Sequence, residues 1–156
     1  MTTRAPWIIA PLRPSGHDMA LTITARCWPN NERAKEILLV DLNMPEAHWT
    51  AALTPGGRIV AFAGWHCSPC CASIAEMMWC NVEPEFQGRG IGRLLFEARE
   101  RAIIEAGYKQ ILLTTHLIAL YEKYGFRPVA VVEGLTEGTR LMIKGNLAYN
   151  VGGGYR

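Results

Sequence analysis

Between Glu83 and Leu95 the chain reads EPEFQGRGIGRLL. Gly88, Gly90 and Gly92 alternate with Arg89, Ile91 and Arg93, and an apolar run at helical spacing follows. A glycine-rich turn that opens a helix gathers unpaired amides and the positive end of the helix dipole, so it suits an anion. Glycine also lets a phosphate approach the backbone without meeting a Cβ. Two nucleotide loops can be tested against this spacing. A P-loop needs G-x-x-x-x-G-K-[ST], and the chain has no Lys-Ser or Lys-Thr pair. A dinucleotide fingerprint needs G-x-G-x-x-G. Gly88 and Gly90 fit its start, but its third glycine position holds Arg93, and Gly92 falls one residue early.

Other residues have types that could do chemistry. Glu76 stands amid the apolar stretch SIAEMMW, where a carboxylate must be either functional or paired. It precedes Val82 by six residues, and even spacing on a regular strand puts both side chains on one face. Tyr121 lies in LYEKYGF, and a phenol stays protonated at neutral pH, so it can donate a proton. The run His66-Cys67-Ser68-Pro69-Cys70-Cys71 has the look of a metal or redox motif. A structural zinc site needs four ligands, and no second C-x-x-C exists. A redox C-x-x-C normally opens a helix, whereas this run joins two strands. It reads as a turn, with no metal expected.

These residues need elements to position them. Trp7–Pro14 reads as a first strand and His17–Trp28 as a helix ended by Pro29. NNERAKEILLVDL reads as a second helix, with Asn30 or Asn31 as its N-cap. A hairpin follows, turning at Thr54-Pro55-Gly56-Gly57. Residues 58–67 are mostly apolar, which predicts a central strand covered on both faces. Ser73–Val82 returns as a strand. Apolar residues from Gly90 to Ala106 mark one face of a long helix, with Gly107 at its end. KQILLTTH reads as a strand, LIALYEKY as a short helix, and RPVAVVEG and TRLMIKG as a closing pair of strands. The order β-α-α-β-β-β-α-β-α-β-β predicts an α/β fold with a mixed sheet, parallel around the long helix.

With 156 residues the chain suits a single domain, expected over 1–150, with a mobile glycine-rich tail over 151–156. A net charge of +2 is too small to suggest a nucleic-acid surface. No apolar run is long enough for a membrane span. The first eighteen residues carry three prolines and no long apolar stretch, which predicts cytoplasmic residence. Five cysteines, an odd number, argue against a disulfide framework. Most of the five tryptophans are expected in the core.

The spacing Gln87-x-x-Gly90-x-Gly92, preceded by Val82-x-Pro84, resembles the acyl-CoA loop of the GNAT superfamily of N-acetyltransferases. LYEKYGFRPV, from Leu120 to Val129, resembles that superfamily's second signature, and the two stand in the family's order. Specific motifs cover residues 59–130, whereas 1–58 match in element order only. The resemblance implies a largely antiparallel mixed sheet with helices on both faces and a splay at the fourth strand. It implies acetyl-CoA as acyl donor. The backbone amide of Val82 would polarise the thioester carbonyl, and the amides of Gln87, Gly88, Arg89, Gly90, Ile91, Gly92 and Arg93 would hold the diphosphate. Arg89 and Arg93 would add charge there. Tyr121 matches the general acid, with Tyr124 a second candidate, and Glu76 stands where some members carry a general base and others rely on water. Thr114 replaces the asparagine that contacts CoA in many members and can still donate one hydrogen bond. The acceptor implied is a primary amine of a small molecule, attacking directly in a ternary complex. A protein N-terminus or lysine is the alternative, and a non-catalytic acyl-CoA-binding module the third reading. A homodimer would follow family habit.

Overall fold

The computed structural model describes residues 6–145, and the expectation of a mobile tail over 151–156 lies outside the described residues. Along the chain run β1 (Ile8–Pro11), α1 (His17–Cys27), α2 (Glu32–Leu42), β2 (His48–Leu53), β3 (Ile59–Cys67), β4 (Ile74–Val82), α3 (Ile91–Glu105), β5 (Gln110–Thr115), α4 (Ile118–Lys123), β6 (Arg127–Val131) and β7 (Arg140–Lys144). This is the order that the apolar periodicity predicts. The first strand is shorter than expected. Pro14–Gly16 form a single 3₁₀ turn, closed by the Gly16 amide on the Arg13 carbonyl at 2.8 Å, and this turn leads straight into α1. The seven strands form one mixed, mostly antiparallel sheet in the order β1-β2-β3-β4-β5-β7-β6. β4 and β5 are its parallel pair, because α3 carries the chain back between them. Among the described residues no helix is long and apolar enough to cross a membrane.

The chain divides into two compact units, one of residues 6–65 and 79–100, the other of 66–78 and 101–145. In the first, β1 pairs antiparallel with β2, and β2 with β3. Val60, Ala61, Phe62 and Ala63 are all fully buried, so β3 is covered on both faces as its continuous apolar run predicts. Ile91 and Leu95 of α3 pack on Ala52, Val60, Ala61 and Ala63. Asn31 caps α2, its side chain accepting the Ala34 amide at 3.1 Å. In the second unit, β7 lies between β5 and β6, antiparallel to both. Pro128 therefore stands in an edge strand, beside a ladder irregularity between Pro128 and Ala130, as proline in a sheet usually does. Ile111, Phe126 and Met142 form the buried centre of this unit.

Candidate active site

In the first unit, the glycine stretch is positioned by what precedes it. The Glu83 amide donates to the Val60 carbonyl at 2.8 Å, tying the end of β4 to β3. Pro84–Phe86 then make one 3₁₀ turn. The Glu83 carboxylate, 1% exposed, accepts from Arg26 of α1 and from Nη2 of Arg58 at 2.9 and 2.8 Å. Two guanidinium groups thus neutralise a charge that could not otherwise be buried there. The Phe86 ring packs edge-on against Trp7, with Arg58 and Arg89 both over it at 5.4 and 5.1 Å. The Gln87 side chain donates to the Val82 carbonyl at 3.0 Å, and the Cys27 thiol donates to the same oxygen at 3.2 Å. Val82, Gln87 and the glycine stretch are thereby brought together.

Gly88 and Gly90 have φ of 74° and 81°, a left-handed backbone that a side chain would strain. Gly92 differs. It lies within α3 at an ordinary φ, and a Cβ built on it would meet nothing within 4 Å. The helical ladder opens with the Leu94 amide on the Gly90 carbonyl at 3.2 Å, so the amides of Ile91, Gly92 and Arg93 precede it. No acidic residue occupies the first turn. Ile91 is 1% exposed and packs in the core, so only its backbone faces outward chemistry. Arg89 donates to the Glu85 carbonyl at 3.1 Å, and Arg93 pairs with Glu97 at 2.9 Å. Each guanidinium keeps further donors beyond these bonds.

β4 changes character at Trp79, a non-glycine residue with φ of 51°. Regular alternation from Glu76 to Val82 therefore does not hold, and the expectation of one shared face loses its basis. The indole of Trp79 donates to Asp41 of α2 at 2.7 Å, and its carbonyl accepts Nη1 of Arg99 at 3.2 Å. Asn81 is buried and donates to Thr24 at 3.0 Å.

In the second unit, Glu76 forms the last pair of the parallel ladder, opposite Leu112. Its Oε1 accepts the Ser68 hydroxyl at 2.7 Å, and its Oε2 lies 3.6 Å from His66 Nε2. His66 Nδ1 is 2.7 Å from the Cys67 carbonyl oxygen. The run that looked like a metal or redox motif thus supplies two neighbours of the candidate base. Tyr121 sits in α4, its ring edge-on to Tyr124 at 5.9 Å and to Phe126 at 5.7 Å. Phe126 is buried, and its amide donates back to the Tyr121 carbonyl at 3.0 Å, so the YGF turn anchors the tyrosine. Thr114 is exposed on β5, paired with Leu141 of β7. Of the cysteines, Cys27 is pushed above the ordinary thiol range by burial and by Cys80, whereas a hydrogen bond from Ser73 holds Cys71 below it.

Sequence reasoning missed Ser68 and His66 as partners of Glu76, and Glu83 with Arg26 and Arg58. An acid directly before Pro84 was the one visible trace of the latter group.

Residues 45–128, a little over half of the chain, match the family model described as "Acetyltransferase (GNAT) domain". The mycothiol acetyltransferase of Jonesia denitrificans is 30% identical over 97 residues, which are 59% of this chain. The match spans 31% of that relative's length. The ribosomal-protein-S18-alanine N-acetyltransferase from Escherichia coli has a similar structure, with a TM-score of 0.74 at 21% identity, covering 90% of this chain and 94% of that one. An aminoglycoside 6'-N-acetyltransferase complexed with coenzyme A gives a TM-score of 0.70 at 21% identity, covering 88% and 96%. At such identities the structural likeness is one of fold.

Proposed function

The chain belongs to the GNAT acetyltransferase family, a family of acyltransferases, and on that premise we propose that it moves an acetyl group from acetyl-CoA to a primary amine of a small molecule, by direct attack in a ternary complex. The observation that carries the donor is Gly92. Gly88 and Gly90 are required by their own left-handed backbone, whereas the fold makes no such demand at Gly92. A diphosphate lying against the helix N-terminus does make that demand, because a Cβ there would hold it off the amides. Two of the similar proteins are named for small molecules, mycothiol and an aminoglycoside, which supports a small acceptor.

In this reading the amides from Gln87 to Arg93 hold the diphosphate, and Thr114 adds a side-chain contact to CoA. Arg89 and Arg93 add positive charge near the phosphates. The Val82 amide faces the thioester oxygen, where negative charge develops as the amine attacks. An amine is mostly ammonium near neutral pH, so a proton must leave it, and Glu76 takes that proton. Tyr121 gives its phenolic proton to the departing thiolate.

The test is thiol release from acetyl-CoA across polyamines, amino acids, aminoglycosides and N-terminal peptides. Turnover on a small amine is expected. Turnover confined to the peptides would move the acceptor to a protein, and binding of acetyl-CoA without turnover on any amine would overturn the enzymatic reading.

A further inference from the structure

On the acyltransfer reading just given, we infer that His66 receives the proton that Glu76 takes from the amine, so that the base is a carboxylate–imidazole pair. His66 stands at the end of β3. Its Nδ1 lies 2.7 Å from the Cys67 carbonyl oxygen. A carbonyl only accepts, so Nδ1 carries the hydrogen of the neutral ring and Nε2 holds the lone pair. Nε2 lies 3.6 Å from Glu76 Oε2, longer than a hydrogen bond, and a proton taken up by the pair draws the two atoms into hydrogen-bond distance. Two acceptors face one another there, and the arrangement is completed by one added proton.

The carboxylate is not free to turn away. Its other oxygen accepts the Ser68 hydroxyl at 2.7 Å. Ser68 is 5% exposed and fixed in turn, its amide donating to the Ile74 carbonyl at 2.8 Å and its Oγ accepting the Cys70 amide at 3.3 Å. Glu76 from β4 and the Cys67 carbonyl from its own strand end both meet the ring. The residue paired with Glu76 on β5 is Leu112, which is apolar. The His66 side chain is 13% exposed and that of Glu76 31%, so an incoming amine meets the carboxylate before the ring.

The proton balance is simple. The N–H bond of the ammonium breaks and the proton passes to Glu76 Oε2. It then passes to His66 Nε2, leaving a carboxylate beside an imidazolium, as a carboxylate stabilises the imidazolium of a catalytic triad. No electrons are transferred to or from either residue. His66 does not touch the amine and acts through Glu76. Ser68 is a positioning residue for the carboxylate.

Two measurements test this. Ring-nitrogen NMR on the full chain with labelled histidine should show the neutral His66 ring protonated at Nδ1, leaving Nε2 as the site for the second proton. A neutral ring protonated at Nε2 overturns the inference without any acceptor being known. The second measurement uses the amine that turns over fastest in the acceptor screen. His66→Gln keeps a polar group beside Glu76 but cannot take up a proton. It should lower kcat by about 10- to 100-fold and remove an ionisation from the acid side of the kcat profile, with KM for acetyl-CoA unchanged. A kcat profile superposable on that of the parent overturns the inference. Glu76→Gln separates the two ideas. If it alters the profile and His66→Gln does not, only the role of His66 fails. If it too leaves the profile unchanged, Glu76 is not the base.

Discussion

Replacing Gly92 by alanine should make the protein more stable and its cofactor binding weaker. The methyl group would meet nothing within 4 Å, and the backbone at this position has no left-handed φ. Gly→Ala inside a helix is worth about 0.8–1 kcal/mol. Gly92 is the second residue of α3, so roughly half of that, about 0.5 kcal/mol, is expected. A gain of that size raises Tm by about 1–2 °C in a chain of this length. Binding should move the other way. The Cβ stands in the space through which a diphosphate reaches the amides of residues 91–93. Loss of one hydrogen bond to a charged group costs about 1.5–3 kcal/mol, or about a ten- to hundredfold rise in Kd. The assays are thermal unfolding without ligand and calorimetric titration with CoA. Gly88→Ala is the internal control. With φ of 74° it should destabilise the free protein, by about 1–2 kcal/mol. If Gly92→Ala binds CoA as tightly as the parent, the diphosphate does not lie against this turn. If it lowers Tm, the open space at Gly92 is not open.

Glu83→Gln removes a buried charge from two arginines whose side chains are about half exposed, which limits the loss to about 2 kcal/mol and a Tm drop of about 4–8 °C. A drop below about 0.5 kcal/mol in chemical denaturation would show that the two arginines simply return to water. Tyr121→Phe should lower kcat by about 10²- to 10⁴-fold with little change in acetyl-CoA affinity, and an unchanged kcat would remove Tyr121 as the acid. Cys71, whose thiol is held low by Ser73, should be alkylated by iodoacetamide with a pH midpoint below that of a free thiol. The half-buried Cys27 should need a higher pH, and Ser73→Ala should move Cys71 upward. Preferential labelling of Cys27 near neutral pH would contradict both shifts.

The elements could be read from the sequence because apolar periodicity is local. The Gly90–Ala106 pattern became α3 within one residue at each end, and the run at 58–67 became the doubly covered β3. Asn31 was legible as a cap for the same reason, since its partner is the amide of Ala34. The first strand is shorter than the sequence predicts because Pro14 can either end a strand or open a 3₁₀ turn, and here it opens the turn. What escaped was tertiary. The Glu83 group draws on α1, on Arg58 before β3 and on the end of β4, and no spacing rule links residues 26, 58 and 83. The partners of Glu76 were hidden differently. His66 and Ser68 stood in a cysteine-rich run that reads as a plain turn between two strands, and no spacing rule links that turn to residue 76.

Trp79 was illegible for a physical reason, because tryptophan is not a residue that chooses a left-handed backbone. A φ of 51° costs a bulky side chain about 1–2 kcal/mol, and it persists only where the surroundings over-determine it. Here they do so twice. Asp41 takes the indole hydrogen at 2.7 Å, and a hydrogen bond to a charged group can by itself offset that strain, at about 1.5–3 kcal/mol. Arg99 takes the carbonyl. Arg99 is 2% exposed and its guanidinium donates to the carbonyls of Leu95, Gly64 and Trp79, while its Nη2 has no hydrogen-bond partner among the described residues. As a filler of core volume this is a poor choice, since methionine would occupy similar space without a desolvated charge. What methionine cannot do is hold the Gly64 carbonyl of β3 and the Trp79 carbonyl of β4 at once. Nor can β3 offer a side chain at that level, because a Cβ on Gly64 would lie 2.6 Å from the Trp49 ring. The arginine is therefore best explained by the backbone it grips. It keeps β4 irregular just beyond Glu76, where the ladder to β5 ends, and prevents the strand from relaxing into a regular pleat.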